Sequence, residues 1–266
     1  MDAPSAYQRL NQVFSRAAPR YDPVILSNFV NRGIRDVEVG TLLPLARGSK
    51  SILEVGCGTG QEASRVLAAT HADLVGIDVA EGMIDFARLK LTTRGFSSRI
   101  QMRVLPAAHV DELAREFDLV YSFNGALNTE PDLPGFFAGA GKVTHPGAFL
   151  VISLRTRPCF GETVLYRLLG KRAELARRRA PQVQVEVVGE LVESRYYTVP
   201  ELLEKVPRNF RLVSLTGLAV VLPPYLAPRV KGTFLQRFVR EANRIAGRLP
   251  WLKVLGDETL FVFQRV

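Results

Sequence analysis

Apolar residues recur along this chain at two periods, and the periods alternate. Leu10, Val13 and Phe14 stand at helical spacing within 7–16, which predicts a first helix ended by Pro19. Residues 28–45 predict a second helix. Short apolar runs bounded by turn residues then predict strands over 51–55, 74–78, 100–105, 117–123 and 148–154. Helical spacing fills the intervals at 61–69, 81–91 and 133–143, with Met83, Phe86 and Ala87 on one face of the middle helix. His145-Pro146-Gly147 predicts a turn before the fifth strand. Strand–helix alternation of this kind requires a parallel sheet with helices on both faces.

Beyond Leu154 the alternation is interrupted. The pattern predicts a basic helix over 163–179, a strand-like run at 183–188, and a helix at 201–206. Thr198 or Val199 stands at the edge of the last, and Pro200 near its first position. Strands six and seven are predicted at 210–215 and 257–264. Between them Leu222-Pro223-Pro224-Tyr225 opens an insertion with an amphipathic helix. Phe234, Leu235, Phe238, Val239, Ala242, Ile245, Ala246 and Leu249 share one face, and Arg237, Arg240, Arg244 and Arg248 the other. The apolar face is expected to bury on the rim of the sheet with the arginines outside. There is no internal repeat or low-complexity stretch.

The chain has 266 residues, of which 47% are apolar, enough for one large domain with a substantial core. No apolar run approaches a membrane span, and residues 1–10 lack the apolar stretch of a signal peptide, so a cytoplasmic protein is expected. Two cysteines and three scattered histidines offer neither a disulfide framework nor a metal-ligand cluster, so no metal is expected. The net charge of +9 is unevenly placed. Segments 166–180 and 229–253 together carry +11, which leaves the rest of the chain at −2.

Candidate chemistry lies in that near-neutral part. The first predicted strand runs into Glu54-Val55-Gly56-Cys57-Gly58-Thr59-Gly60, and the second ends in Asp78. Glycines let a backbone turn sharply and approach a ligand, and an acid at the next strand tip can accept both hydroxyls of a ribose. The glycines alternate as G-x-G-x-G, unlike the G-x-G-x-x-G of dinucleotide sites. This motif resembles motif I of the class I S-adenosylmethionine (SAM) methyltransferases, and the resemblance extends over roughly 18–154. It implies an α/β fold: a Rossmann-like, seven-stranded, mostly parallel sheet with an antiparallel last strand and helices on both faces. A single domain over 1–266 would contain N-terminal helices (1–45), a SAM-binding core (46–154) and two insertions (155–195 and 222–256). Their place after strands five and six is expected to make the insertions a lid over the acceptor.

The resemblance also implies site roles. Gly56, Gly58 and Gly60 would pass along the methionine and ribose of SAM. Glu54 would order the loop and hold the amino group, and Asp78 would take the ribose diol. Met83 would pack on adenine, or serve as ordinary helix core. Where the family often has an acid to read adenine, this chain has Leu105-Pro106-Ala107-Ala108, which leaves backbone near Ala107, or Asp111 a turn later. Asn124 would lie beside the transferred methyl, outside any N/D-P-P-Y motif. Pro223-Pro224-Tyr225 reads instead as a turn or hinge. The run from Phe14 to Asp22 resembles the segment preceding the core in small-molecule methyltransferases, including those of quinone and biotin-precursor synthesis, whose tyrosine closes over the cofactor. Here that residue is Tyr21, with core packing as its other reading.

Displacement at a sulfonium mainly needs alignment and exclusion of water, and no general base stands out. Tyr21, Asn124 and Tyr196 are the catalytic candidates, and Tyr166, Tyr197 and Tyr225 come from the same variable segments. His71 and His145 read as surface or turn residues, and His109 as a polar wall near adenine. Cys57 and Cys159 have no neighbouring base. The leading expectation is a methyltransferase with a small-molecule acceptor. Its alternatives are a membrane-associated lipid or quinone methyltransferase docking through the basic helices, and a SAM-binding protein without catalysis. Nucleic acid is disfavoured because no aromatic-interleaved basic patch is present. A membrane role needs an exposed apolar face, whereas the 234–249 face is expected to bury. The sequence carries no signal for an oligomeric state.

Overall fold

The computed structural model describes residues 3–266. Among the described residues nine strands are formed: β1 Ser51–Val55, β2 Asp73–Asp78, β3 Ile100–Val104, β4 Phe117–Ser122, β5 Thr144–Arg155, β6 Gln182–Val187, β7 Glu190–Arg195, β8 Phe210–Leu218 and β9 Glu258–Arg265. Seven of them make one sheet in the order β3-β2-β1-β4-β5-β9-β8, while β6 and β7 form a separate hairpin. The first five pair in parallel, and β9 runs antiparallel to both β5 and β8. The strand order reverses between β1 and β4, so the crevice outside their carboxyl ends is where such a sheet takes a ligand.

Helices α1 Ala3–Ser27, α2 Phe29–Ala46, α3 Gln61–Ala69, α4 Glu81–Thr93 and α5 Leu133–Lys142 belong to this core. The later helices are α6 Phe160–Leu168, α7 Arg172–Arg179, α8 Val199–Leu203 and α9 Thr233–Ala246. The central strands β1 and β4 are buried almost throughout, and their apolar runs are broken only by Glu54 in β1 and Asp118 in β4, with Ser51 and Ser122 at the ends. One apolar cluster covers a face of the sheet with α2, α3 and α4, and a second covers the other with α5 and α8.

Several local expectations are corrected. Helix α1 does not stop at Pro19 but continues through Pro19 and Pro23. Each proline removes a backbone donor, yet packing holds the line: Ala17 and Ala18 bury against Ala80 and Met83, and Asn11 and Ser15 accept from the N–H groups of Glu81 and Gly82 (3.1 and 2.9 Å). The basic helix expected over 163–179 is two helices. Gly170 takes a left-handed φ of 65°, and Lys171 N–H returns to the Tyr166 carbonyl at 2.9 Å, closing α6. His145-Pro146-Gly147 lies inside β5 instead of forming a turn. The run at 183–188 has a partner the sequence pattern missed, because the turn residues Val188 and Gly189 both have positive φ (53° and 88°). That is the backbone of a tight hairpin turn, but valine is an uncommon residue there.

The largest correction concerns α9. It packs on α2 and β8 through a narrow strip, burying only Val239 and Ala246. Phe234, Phe238 and Ile245 are exposed (84%, 64% and 55%), so the apolar face does not bury on the sheet rim.

Candidate active site

The turn after β1 is built by three glycines with positive φ, and each has a different reason. A Cβ on Gly56 (φ 67°) would fall 2.4 Å from Ala126 Cβ, and one on Gly60 (φ 73°) 3.2 Å from Ala87 Cβ. These two are required by packing. Gly58 (φ 50°) has nothing within 4 Å of that position, and its open side lies on a cavity wall.

Asp78 ends β2 beside this loop. One carboxylate oxygen accepts from Gly58 N–H and the other from Ala80 N–H, each at 2.9 Å. Burial pushes the Asp78 carboxyl above its ordinary range, and those backbone donors counter the shift. Asp22 of α1 fastens the loop from the opposite side: it accepts from Thr59 Oγ1 at 2.6 Å and pairs with Lys90 of α4.

The cavity lies at the carboxyl ends of β1, β2 and β4. Gly56, Cys57, Gly58, Thr59, Asp78, Met83, Ala107, Asn124 and Tyr21 all line it. Among the expected cofactor residues, Glu54 and Gly60 do not. Glu54 is buried beneath the loop, and burial keeps its carboxyl well above the usual range. Gly60 caps α3. Met83 lines the cavity and also packs on Ala17 and Ala18, so both of its readings hold. Asp111 lies outside the cavity and pairs with Lys142 at 2.9 Å. His109 is half exposed and pairs with Glu112 at 3.0 Å. Asn124 sits with φ 57° at the tip of β4, a conformation asparagine tolerates. Its N–H donates to Glu38 Oε1 at 3.2 Å and Ser153 Oγ at 3.0 Å.

Tyr196 is not in the cavity. Its ring lies under Arg178, and its hydroxyl accepts from Arg155 Nη1 at 3.4 Å. Tyr196 therefore meets the site only through Arg155, which does line it. Tyr166, Tyr197 and Tyr225 do not line the cavity. Burial raises the Tyr21 phenol and both cysteine thiols, so at neutral pH they stay protonated.

The rest of the wall was missed in the sequence. Tyr7, Leu10 and Phe14 come from α1, Arg35 from α2, Glu62 from α3, and Val185, Glu186, Val187 and Ser194 from the β6–β7 hairpin. Arg35 and Glu62 form a buried ion pair, and Tyr7 donates to Glu130. One signal did exist. Arg35 and Glu38 interrupt the apolar stripe of α2 at helical spacing with Leu42, and charges on a core-facing stripe need partners. Segment 155–195 thus contributes to the wall, whereas no residue of 222–256 does. Elsewhere Cys159, Glu162 and Asp257 converge in the interior. Arg178 reaches both carboxylates there, at 3.3 and 2.9 Å.

Fold and loop together define a nucleoside-binding α/β protein. A family described as methyltransferase domain matches residues 52–147. Aklanonic acid methyltransferase DauC of Streptomyces sp. (strain C5) is 32% identical over 161 residues, covering 59% of this chain and 68% of that protein. Methyltransferase GfsG of Streptomyces halstedii is 26% identical over 133 residues, 50% of this chain, and the match spans only 47% of GfsG's own length. A putative S-adenosylmethionine-dependent methyltransferase from Listeria monocytogenes shares the fold, with a TM-score of 0.59 at 15% identity over 88% of this chain and 98% of that one. The chain belongs to the class I S-adenosylmethionine-dependent methyltransferases.

Proposed function

We propose that this protein transfers the methyl group of SAM to a small organic acceptor, as a cytoplasmic enzyme. The observation that carries the reading is the open side of Gly58, facing the cavity beside Asp78. A cofactor backbone fits where a Cβ is missing, and each Asp78 oxygen keeps a lone pair for a ribose hydroxyl. Glu54 and Gly60 set the loop from behind, with Met83 and Ala107 on the adenine side.

When bound, SAM supplies an activated methyl on a positive sulfur. The chain's own residues then align and enclose the acceptor. Asn124 is held rigid by Glu38 and Ser153. Tyr7, Leu10, Phe14, Val185 and Val187 make an apolar wall, which excludes water. Tyr21, kept protonated, donates a hydrogen bond and is not a base. Arg155 offers a cation to an acceptor oxygen. With no group in the cavity set up as a strong base, the acceptor is one already nucleophilic or readily ionised, such as a phenolate or enolate. The relative that acts on aklanonic acid supports a small-molecule acceptor.

Calorimetry with SAM and S-adenosylhomocysteine, followed by transfer of a radiolabelled methyl to a panel of phenolic and enolic acceptors, tests the reading. Binding of both ligands with turnover on one acceptor class is expected. Absence of binding would overturn it, and binding without turnover on any acceptor would favour a non-catalytic SAM-binding protein.

A further inference from the structure

Helix α9 carries an apolar stripe that the core leaves uncovered. Phe234, Phe238 and Ile245 recur at helical spacing on one flank and are among the most exposed large apolar residues of the chain. Leu235 beside them is 45% exposed, and Trp251, just past the helix end, is 66% exposed. Glu241, one turn from both Phe238 and Ile245, borders this stripe, and beyond it runs a row of arginines: Arg237, Arg240, Arg244 and Arg248. Arg244 pairs with Glu241 at 2.7 Å. Arg237, Arg240 and Arg248 have no carboxylate partner among the described residues. Arg240, Arg244 and Arg248 line a groove against α2 that also holds Asp36 and Glu241, and Gly33 lets the Arg240 side-chain stem lie against α2. Segment 222–256 has a net charge of +6.

We propose that α9 is an in-plane membrane anchor that seats the protein on an anionic bilayer surface. The Phe234–Phe238–Ile245 stripe enters the acyl boundary, and the arginine groove meets lipid phosphates. Apolar residues along one flank with cations along the other are the pattern of helices that lie in an interface. Exposed apolar residues gathered on one flank of a helix mark an interaction surface, whereas singly scattered ones do not. A second copy fits poorly. A helix of 14 residues is about 21 Å long, and one stripe along it falls well short of the ~800 Å² per partner of a stable interface. Two-fold pairing would also set one +6 segment against another.

The anchor is tied to the cavity wall. α9 packs on α2, whose cap Asn28 donates to the Pro224 carbonyl at 2.8 Å. Ile25, three residues before Asn28, lines the cavity. Docking through α9 therefore fixes the α1–α2 corner relative to the bilayer. The inference stands apart from methyl transfer, because vesicle association is read without cofactor or acceptor.

The test is co-sedimentation of the full chain with phosphatidylcholine vesicles, with and without phosphatidylglycerol, at low and high salt. Association with the anionic vesicles alone, weakened as salt shortens the screening length, is expected. Phe234→Asp/Phe238→Asp should lower partition about tenfold or more. Arg240→Glu/Arg248→Glu should do likewise, since each cation near anionic lipid is worth roughly fivefold. All four positions are exposed, so melting temperature and SAM affinity should stay at parental values in both variants. Failure of the parent to bind anionic vesicles at low salt would overturn the proposal. So would binding that survives the phenylalanine changes but not the arginine changes, which marks a general polyanion site. A dimer in sedimentation equilibrium that those phenylalanine changes dissociate would assign the stripe to a second copy.

Discussion

Asp78 accepts a hydrogen bond from the backbone N–H of Gly58 at 2.9 Å. The acid at the tip of β2 thus sets the glycine loop that follows β1, in addition to facing the cavity itself. Its roles in loop and ligand are joined. Asp78→Ala should weaken SAM binding by tenfold or more, as removal of charge-assisted hydrogen bonds costs about 1.5–3 kcal/mol. Calorimetry on the folded variant checks it, and unchanged affinity would remove Asp78 from the site.

The glycines of the loop should separate by readout. Gly58→Ala pays for its left-handed backbone, about 1–2 kcal/mol, but meets no protein atom. It should stay folded and lose SAM binding. Gly56→Ala adds a collision with Ala126 to the same strain, for about 2–5 kcal/mol in all. Denaturant melts beside binding isotherms distinguish them. Equal destabilisation would mean that the loop has no open side.

The buried pair Arg35–Glu62 should behave as a unit. Both side chains are nearly inaccessible (5% and 6%). Glu62→Leu leaves an uncompensated buried cation and should cost about 3–5 kcal/mol, whereas Arg35→Leu/Glu62→Leu should recover much of that loss. Urea melts of both single variants and the double variant complete the cycle. Additive losses would contradict the coupling.

Glu38 should make stability depend on pH. Burial first, and the Glu258 carboxylate second, hold Glu38 above its ordinary value, with Ser153 and Arg35 opposing. Burial likewise raises Glu258, with Arg155 and Arg35 opposing. A carboxyl raised on folding contributes stability that is full below its unfolded pKa and lost as pH rises through its folded one. Stability should therefore decline as pH rises from the ordinary carboxylate value of 4.5 to about 8, the value for Glu38, by up to about 1.4 kcal/mol per pH unit for one group, and is read as a falling melting temperature. Glu38→Gln keeps an oxygen for Asn124 N–H and should flatten that decline. An unchanged profile would mean that the pair is ionised in the fold at no cost.

What the sequence determined by itself is the part of the protein built from neighbours in the chain. Strand periods, the alternate glycines and an acid at the end of the next apolar run are local, and a parallel sheet with loops at its carboxyl ends follows from them. Gly56, Gly58, Asp78, Met83, Ala107, Asn124 and Tyr21 all line one cavity, because each stands at or just after a strand end, in the first turn of the helix that follows one, or on the segment before the core. Tertiary structure decided whatever depends on which surfaces meet. Prolines in α1 are tolerated because α4 covers that helix. Val188 turns left-handed because β6 and β7 pair. Arg35 and Glu62 belong together because α2 and α3 pack side by side. Period also cannot say which part of an apolar arc finds a partner. The eight-residue face of α9 was legible in the sequence, but only contact with α2 and β8 determined that Val239 and Ala246 bury while Phe234 and Phe238 face outward.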